Sequence, residues 1–207
     1  MLKRLSTMPG TVTIILLWVA VWVLVITKNC LPVLSGKGIS IVGNECYRFF
    51  TAGLTHANLI HLLANVSAMF WIGYFYEHSL GTMKFVVIGM FCAILSYVIF
   101  LCIYHNANGS IGGSVYNFAL CGFGLTLQFL VSEFPKIILG TRCGNWLVIY
   151  LIASNIPFLP YMDITTVILH TIAFATGIVV ALVCRLLRLK LPPQAASMGK
   201  QEPEQPK

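Results

Sequence analysis

Apolar and polar positions alternate along this chain in long blocks: six apolar runs, at 11–27, 59–76, 85–104, 113–134, 146–159 and 167–187, separated by short polar connections. Runs of this length predict helices; barrel strands would show short segments alternating residue by residue. A helix needs about 20 residues to cross the hydrocarbon core of a bilayer. The pattern therefore predicts six transmembrane helices spanning 11–190, after a short N-terminal segment at 1–10. The fifth run is the shortest. It carries Asn155 and Pro157 near its end, which predicts a tilted or kinked span helped by flanking Trp146 and Tyr161. The 191–207 tail, rich in Pro, Gln and Glu, predicts a disordered end.

Composition agrees: 58% of the 207 residues are hydrophobic and only 9% are charged, too apolar for a water-facing globule of this size. The expected solvent is the lipid bilayer, and the expected class is an all-α polytopic membrane protein. Lys3 and Arg4 before the first run suggest a signal peptide, but Lys28, Asn29 and Cys30 after it supply no small-x-small cleavage site, so the run reads as a retained helix.

Charge then gives orientation, because cytoplasmic loops retain Lys and Arg. With the N-terminus inside, ten cations fall on the inner side: Lys3, Arg4, Lys84, Lys136, Arg142, Arg185, Arg188, Lys190, Lys200 and Lys207. Only Lys28, Lys37 and Arg48 fall outside. Both termini are thus expected in the cytoplasm, with the second, fourth and sixth helices running inward from the outer face. The net charge of +7 is a topology signal; no basic patch with stacking aromatics suggests nucleic acid.

Among seven cysteines, Cys92, Cys102, Cys121 and Cys184 lie within apolar runs as ordinary packing residues. Cys30 and Cys46 share the first outer loop, where an oxidising compartment would allow a disulfide. Cys143 stands alone, and no Cys/His spacing points to a metal.

Polar residues at lipid depth carry the functional signal, since they are costly there and face the bundle interior or a water-filled cavity. His61 and Asn65 on the second helix, Ser114 at the start of the fourth and His170 near the start of the sixth all come out at similar depth, about a turn below the outer face. A serine hydroxyl becomes a nucleophile when a neighbouring base takes its proton, and His170 is the histidine at matching depth. No membrane-embedded carboxylate offers itself as a third member. Ser114 opens its helix, where the positive dipole end favours developing negative charge. His61 and Asn65, four apart, share one helix face and can aim two donors at an oxyanion. Acyl transfer within the membrane is the chemistry this set fits. The same residues also have plainer readings: a serine back-bonded to its helix, a packed core histidine, and interhelical hydrogen-bonding glue.

Four stretches carry a family resemblance. Tyr47-Arg48-Phe49-Phe50 followed by His61-Leu62-Leu63-Ala64-Asn65, then Glu77 with Gly81, then Gly112-Gly113-Ser114-Val115-Tyr116-Asn117-Phe118 with Gly122, and finally His170 with Gly177 resemble, in order, the motifs of the rhomboid intramembrane serine proteases. The resemblance implies a six-helix rhomboid-like bundle that works without cofactor or metal and cuts transmembrane segments of other membrane proteins. It implies Ser114 and His170 as catalytic residues and His61 and Asn65 as the oxyanion hole, supported by His56, Gly112, Gly113, Phe118 and Gly177. Three positions depart from the pattern: Val115 follows the serine where Gly is usual, Leu169 precedes the histidine, and Ala173 replaces the first Gly after it. Bulkier side chains there predict a wider gap between Ser114 and His170. A second register, Gly109-Ser110-Ile111-Gly112, puts Ile111 at the nucleophile position and implies a dead enzyme; only the Ser114 register aligns Phe118 and Gly122.

Three function classes follow: an active intramembrane endopeptidase, a silent relative that binds transmembrane clients, and a small transporter, for which neither inverted-repeat hydropathy nor a charged pathway is present. For the first, the substrate helix has to unwind at its outer end, so helix-breaking residues there are expected to favour cleavage.

Overall fold

The computed structural model describes residues 7–156 and 163–189. Pro157, Tyr161, the 191–207 tail and the cations Lys3, Arg4, Lys190, Lys200 and Lys207 lie outside the described residues. Six helices dominate: α1 Pro9–Lys28, α2 Leu59–Leu80, α3 Thr82–Ile103, α4 Ser114–Leu130, α5 Arg142–Ala153 and α6 Ile164–Leu186. The all-α expectation needs one amendment, a two-stranded antiparallel ladder between β1 Gly36–Lys37 and β2 Asn108–Ser110 that ties the loop after α1 to the loop before α4.

By length and apolar composition, α1, α2, α3 and α6 can each cross a membrane. The other two are shorter than the hydropathy pattern suggested. α4 has 17 residues and α5 has 12, or about 26 and 18 Å at 1.5 Å per residue, against a hydrocarbon core of about 30 Å. The local reasons are visible. Val131 leaves α4 in an extended conformation, so the helix stops short of Phe134. α5 is shifted toward the N-terminus: the Thr141 side chain caps it by accepting from Gly144 N at 3.1 Å, which starts the helix ahead of the apolar run, and it already ends at Ala153.

α4 is the centre of the bundle: from Ser114 to Gly124 every residue is buried, and its main partner is α6. The two backbones touch. A Cβ on Gly122 would overlap the Phe174 carbonyl oxygen, and one on Gly177 would overlap that of Ala119. These two glycines set the crossing. Val115, Leu169 and Ala173 are all buried, and with Ser114 Oγ 2.9 Å from His170 Nε2 the widening expected from them does not occur.

Two polar latches brace the ends. Glu77, fully buried in the last turn of α2, accepts from Gly10 N (2.7 Å), Thr11 N (2.8 Å), Thr11 Oγ1 (2.6 Å) and Thr82 Oγ1 (2.9 Å), pinning the start of α1 to the α2–α3 turn. That carboxylate also faces the positive end of α1. In the first loop, Arg48 is buried and donates to Glu45 Oε2 (2.8 Å), Pro32 O (2.8 Å) and Ser35 O (2.9 Å). Lys37 adds a second ion pair to Glu45 at 2.9 Å. Val33, Ile39 and Ile41 on this loop expose apolar side chains, as a segment lying against lipid would. Cys30 and Cys46 are both free thiols, so the disulfide left open by the sequence is not formed.

Candidate active site

Ser114 is the first residue of α4, and the loop delivering it is held on both sides. Gly112 N donates to Ala52 O at 3.0 Å, and Gly112 O accepts from the buried Tyr97 hydroxyl at 3.1 Å. Gly112 has φ +133, which an L side chain rarely adopts, and this turn frees the chain to begin α4 one residue after Gly113. Gly113 is small for a packing reason: a Cβ there would press on the Trp18 ring and on His56 Nε2.

His170 comes from the second turn of α6, where Asp163 caps the helix by accepting from Thr166 N at 2.9 Å. Its Nε2 lies 2.9 Å from Ser114 Oγ, with both residues buried. The imidazole is gripped on its face by Phe118, one turn below Ser114, with ring centroids 4.1 Å apart and planes 8° from parallel. On its other edge Nδ1 lies 3.1 Å from Asn155 Oδ1. In the second register Ser110 instead belongs to β2, paired with Gly36.

Gly112, without a side chain, lets Ser114 and His61 come close together. A Cβ there would sit 3.1 Å from Ser114 Oγ and 3.2 and 3.3 Å from His61 Cε1 and Nε2. One point therefore lies within contact of both the hydroxyl and the His61 edge, close to the N-terminal end of α4. His61 in turn meets His56 edge-on at 5.2 Å, and His56 meets Trp18 at 5.4 Å. His56 precedes α2 and is fully buried; desolvation first, then the charge of neighbouring His61, pushes its imidazole down to about 3, so it packs as a neutral ring.

Asn65 makes interhelical hydrogen bonds, the plainer of the two readings its sequence position allowed. Its Nδ2 donates to His61 O at 3.0 Å within its own helix, and its Oδ1 accepts from the Tyr150 hydroxyl (2.8 Å) and from Asn117 Nδ2 (3.3 Å). A buried amide must satisfy both its donor and its acceptor, and α4 and α5 supply the partners. This Asn65–Asn117–Tyr150 cluster ties α2, α4 and α5 together just below the serine. His61 and Asn65 share a helix face, and the His61 ring is among the atoms nearest a Cβ placed on Gly112.

A model of the rhomboid domain matches residues 43–187. The chain belongs to the rhomboid family. Comparison with curated proteins returns no match. The match covers most of the chain, from the first loop to the end of α6, and with the apolar helices it makes this rhomboid an integral, multi-pass membrane protein. Its family consists generally of intramembrane serine proteases and also includes inactive relatives.

Sequence reasoning missed Asn117, Tyr150 and the contact made by Asn155. Asn155 was visible as a polar residue ending the fifth apolar run, but hydropathy does not show which way a side chain at a helix end points. The four acids among the described residues are elsewhere: Glu77 in the α1–α2 latch, Glu45 in the first loop, Asp163 at the α6 cap and Glu133 beside Ser132 after α4.

Proposed function

We propose that this rhomboid is an intramembrane serine endopeptidase that cuts transmembrane segments of other membrane proteins through a Ser114–His170 dyad. The observation that carries the reading is the 2.9 Å approach of His170 Nε2 to Ser114 Oγ at the N-terminal end of a buried helix.

In this mechanism His170 Nε2 takes the Ser114 proton as Oγ attacks the carbonyl carbon of the scissile peptide bond. The resulting oxyanion occupies the space beside Gly112, where His61 Nε2 and the start of α4 stabilise it. Asn65 is the second donor; its Nδ2 leaves His61 O to take that role. His170 then protonates the departing amine, leaving an acyl-enzyme on Ser114. Water attacks that ester, giving one proton to Nε2, and collapse of the second intermediate returns that proton to Oγ and releases the carboxylic acid, which ionises in water. Every proton taken is given back, and no metal or cofactor enters the cycle.

The substrate is an apolar helix that opens locally as it reaches the serine, because a helical peptide bond is shielded from attack. Six membrane passes, with both termini in the cytoplasm and the site opening to the outer face, are supported by the Lys/Arg bias of the connections. The test is cleavage of a designed transmembrane substrate, with Gly or Pro near its outer end, by purified protein in detergent or liposomes. Cleavage by the wild type that Ser114→Ala and His170→Ala both abolish supports the dyad. No cleavage across a panel of such substrates counts against it and favours a silent relative that binds transmembrane clients.

A further inference from the structure

An imidazole acts as a base at one ring nitrogen only while the other carries the proton, and the partner of each nitrogen decides which is which. His170 Nε2 faces the Ser114 hydroxyl; Nδ1 faces Asn155 Oδ1 at 3.1 Å. The Asn155 amide is itself oriented. Its Nδ2 donates to Leu151 O at 2.8 Å, one turn back on α5, which leaves Oδ1 directed at the ring. A carbonyl oxygen only accepts, so the ring nitrogen opposite must be N–H. Nε2 is then left with its lone pair toward Ser114.

Resting on the protease reading above, we propose that Asn155 is a positioning residue of this rhomboid, holding His170 in the Nδ1–H tautomer and in line with Ser114. An acid fills this place in soluble Ser-His-acid sites, and an amide in Cys-His-Asn ones. An amide supplies the acceptor without a buried negative charge, which at membrane depth is expensive. It also gives the short α5 a use: the helix ends at Ala153, and Asn155, two residues on, meets His170. Phe118 holds the plane of the ring, and Asn155 fixes its rotation within that plane.

The test uses the full chain in detergent with ¹⁵N-labelled histidine, the His170 signals being those lost in His170→Asn. The wild type is expected to show Nδ1 protonated and Nε2 bare, and Asn155→Ala and Asn155→Leu to show a mixture of tautomers. On the designed substrate, kcat in both variants is expected to fall about 10- to 100-fold, part of what a positioned base contributes, with KM within about twofold. Asn155→Asp keeps an acceptor toward Nδ1 and is expected to restore the tautomer and most of kcat; it decides the matter should the Ala and Leu variants lose their helical fold. Unchanged tautomer and unchanged kcat in Asn155→Ala, or no recovery in a folded Asn155→Asp, overturns the proposal while leaving the protease standing. A wild type that cuts nothing sinks the protease and, with it, the catalytic role of Asn155, and is told apart because the control itself fails.

Discussion

Replacing Gly112 by Ala tests the space beside the serine, and its effect can be worked from three quantities. The backbone at φ +133 is glycine territory, where a side chain costs about 1–3 kcal/mol of folding stability. The new methyl carbon would lie 3.1 Å from Ser114 Oγ and 3.2 Å from His61 Cε1, inside the roughly 3.5–4.0 Å of a relaxed contact, so serine and histidine must each give way by a few tenths of an ångström. It also fills the volume assigned to the oxyanion, and losing one such stabilising contact costs about 10²–10³ in kcat. Gly109→Ala separates strain from site: φ there is +93 and an added Cβ meets nothing within 4 Å. Both variants are expected to unfold at lower temperature by a similar margin, while only Gly112→Ala loses cleavage, by at least about 100-fold. The assay is single-turnover cleavage beside thermal unfolding in one detergent. Wild-type kcat in Gly112→Ala, or equal losses in the two variants, would refute the assignment of that space.

Glu77→Ala strands four donors around a buried site and is expected to cost about 3 kcal/mol or more, read as a lowered unfolding midpoint; an unchanged midpoint would remove the latch from the stabilising set. Gly177→Ala drives a methyl into the Ala119 carbonyl and is expected to cost about 1–3 kcal/mol and to weaken cleavage by lengthening the Ser114–His170 contact; wild-type stability and rate would contradict the α4–α6 crossing as described. Glu45, held down at about 2 by Arg48 first and Lys37 second, supplies the pH prediction. Its folded-state pKa is depressed, so its contribution is complete above the ordinary carboxylate range near 4.5 and is lost as pH falls toward 2. Hydrogen exchange in the 29–58 loop is therefore expected to speed up selectively between pH 4.5 and 2, an effect absent in Glu45→Gln.

The helices were legible because lipid imposes a coarse, strong pattern: a span needs a long apolar run, and α1, α2, α3 and α6 stand close to where the hydropathy puts them. Helix ends were less legible. α4 and α5 stop or start by local events, the extended Val131 and the Thr141 cap, that average hydropathy does not register. Ser114 and His170 could be singled out because a polar residue at lipid depth demands a reason, and the family's motifs spaced them. The compensation for Val115, Leu169 and Ala173 could not be read, because whether a side chain separates two helices depends on where they cross, and the crossing is set by Gly122 and Gly177, about one to two turns along the helices. The Asn65–Asn117–Tyr150 cluster and the Asn155 contact escaped for a related reason. They join residues 33 to 85 and 15 positions apart, and a single sequence shows no such pairing.

The most direct test of Ser114 as a His170-activated nucleophile needs no substrate. The purified protein is treated with an alkyl fluorophosphonate, which reacts with an activated serine hydroxyl to release fluoride, and the adduct is mapped by mass spectrometry. A single adduct on Ser114, absent from both Ser114→Ala and His170→Ala, is the expected result; no adduct on the folded wild type, or one on Ser114 that persists in His170→Ala, would contradict it.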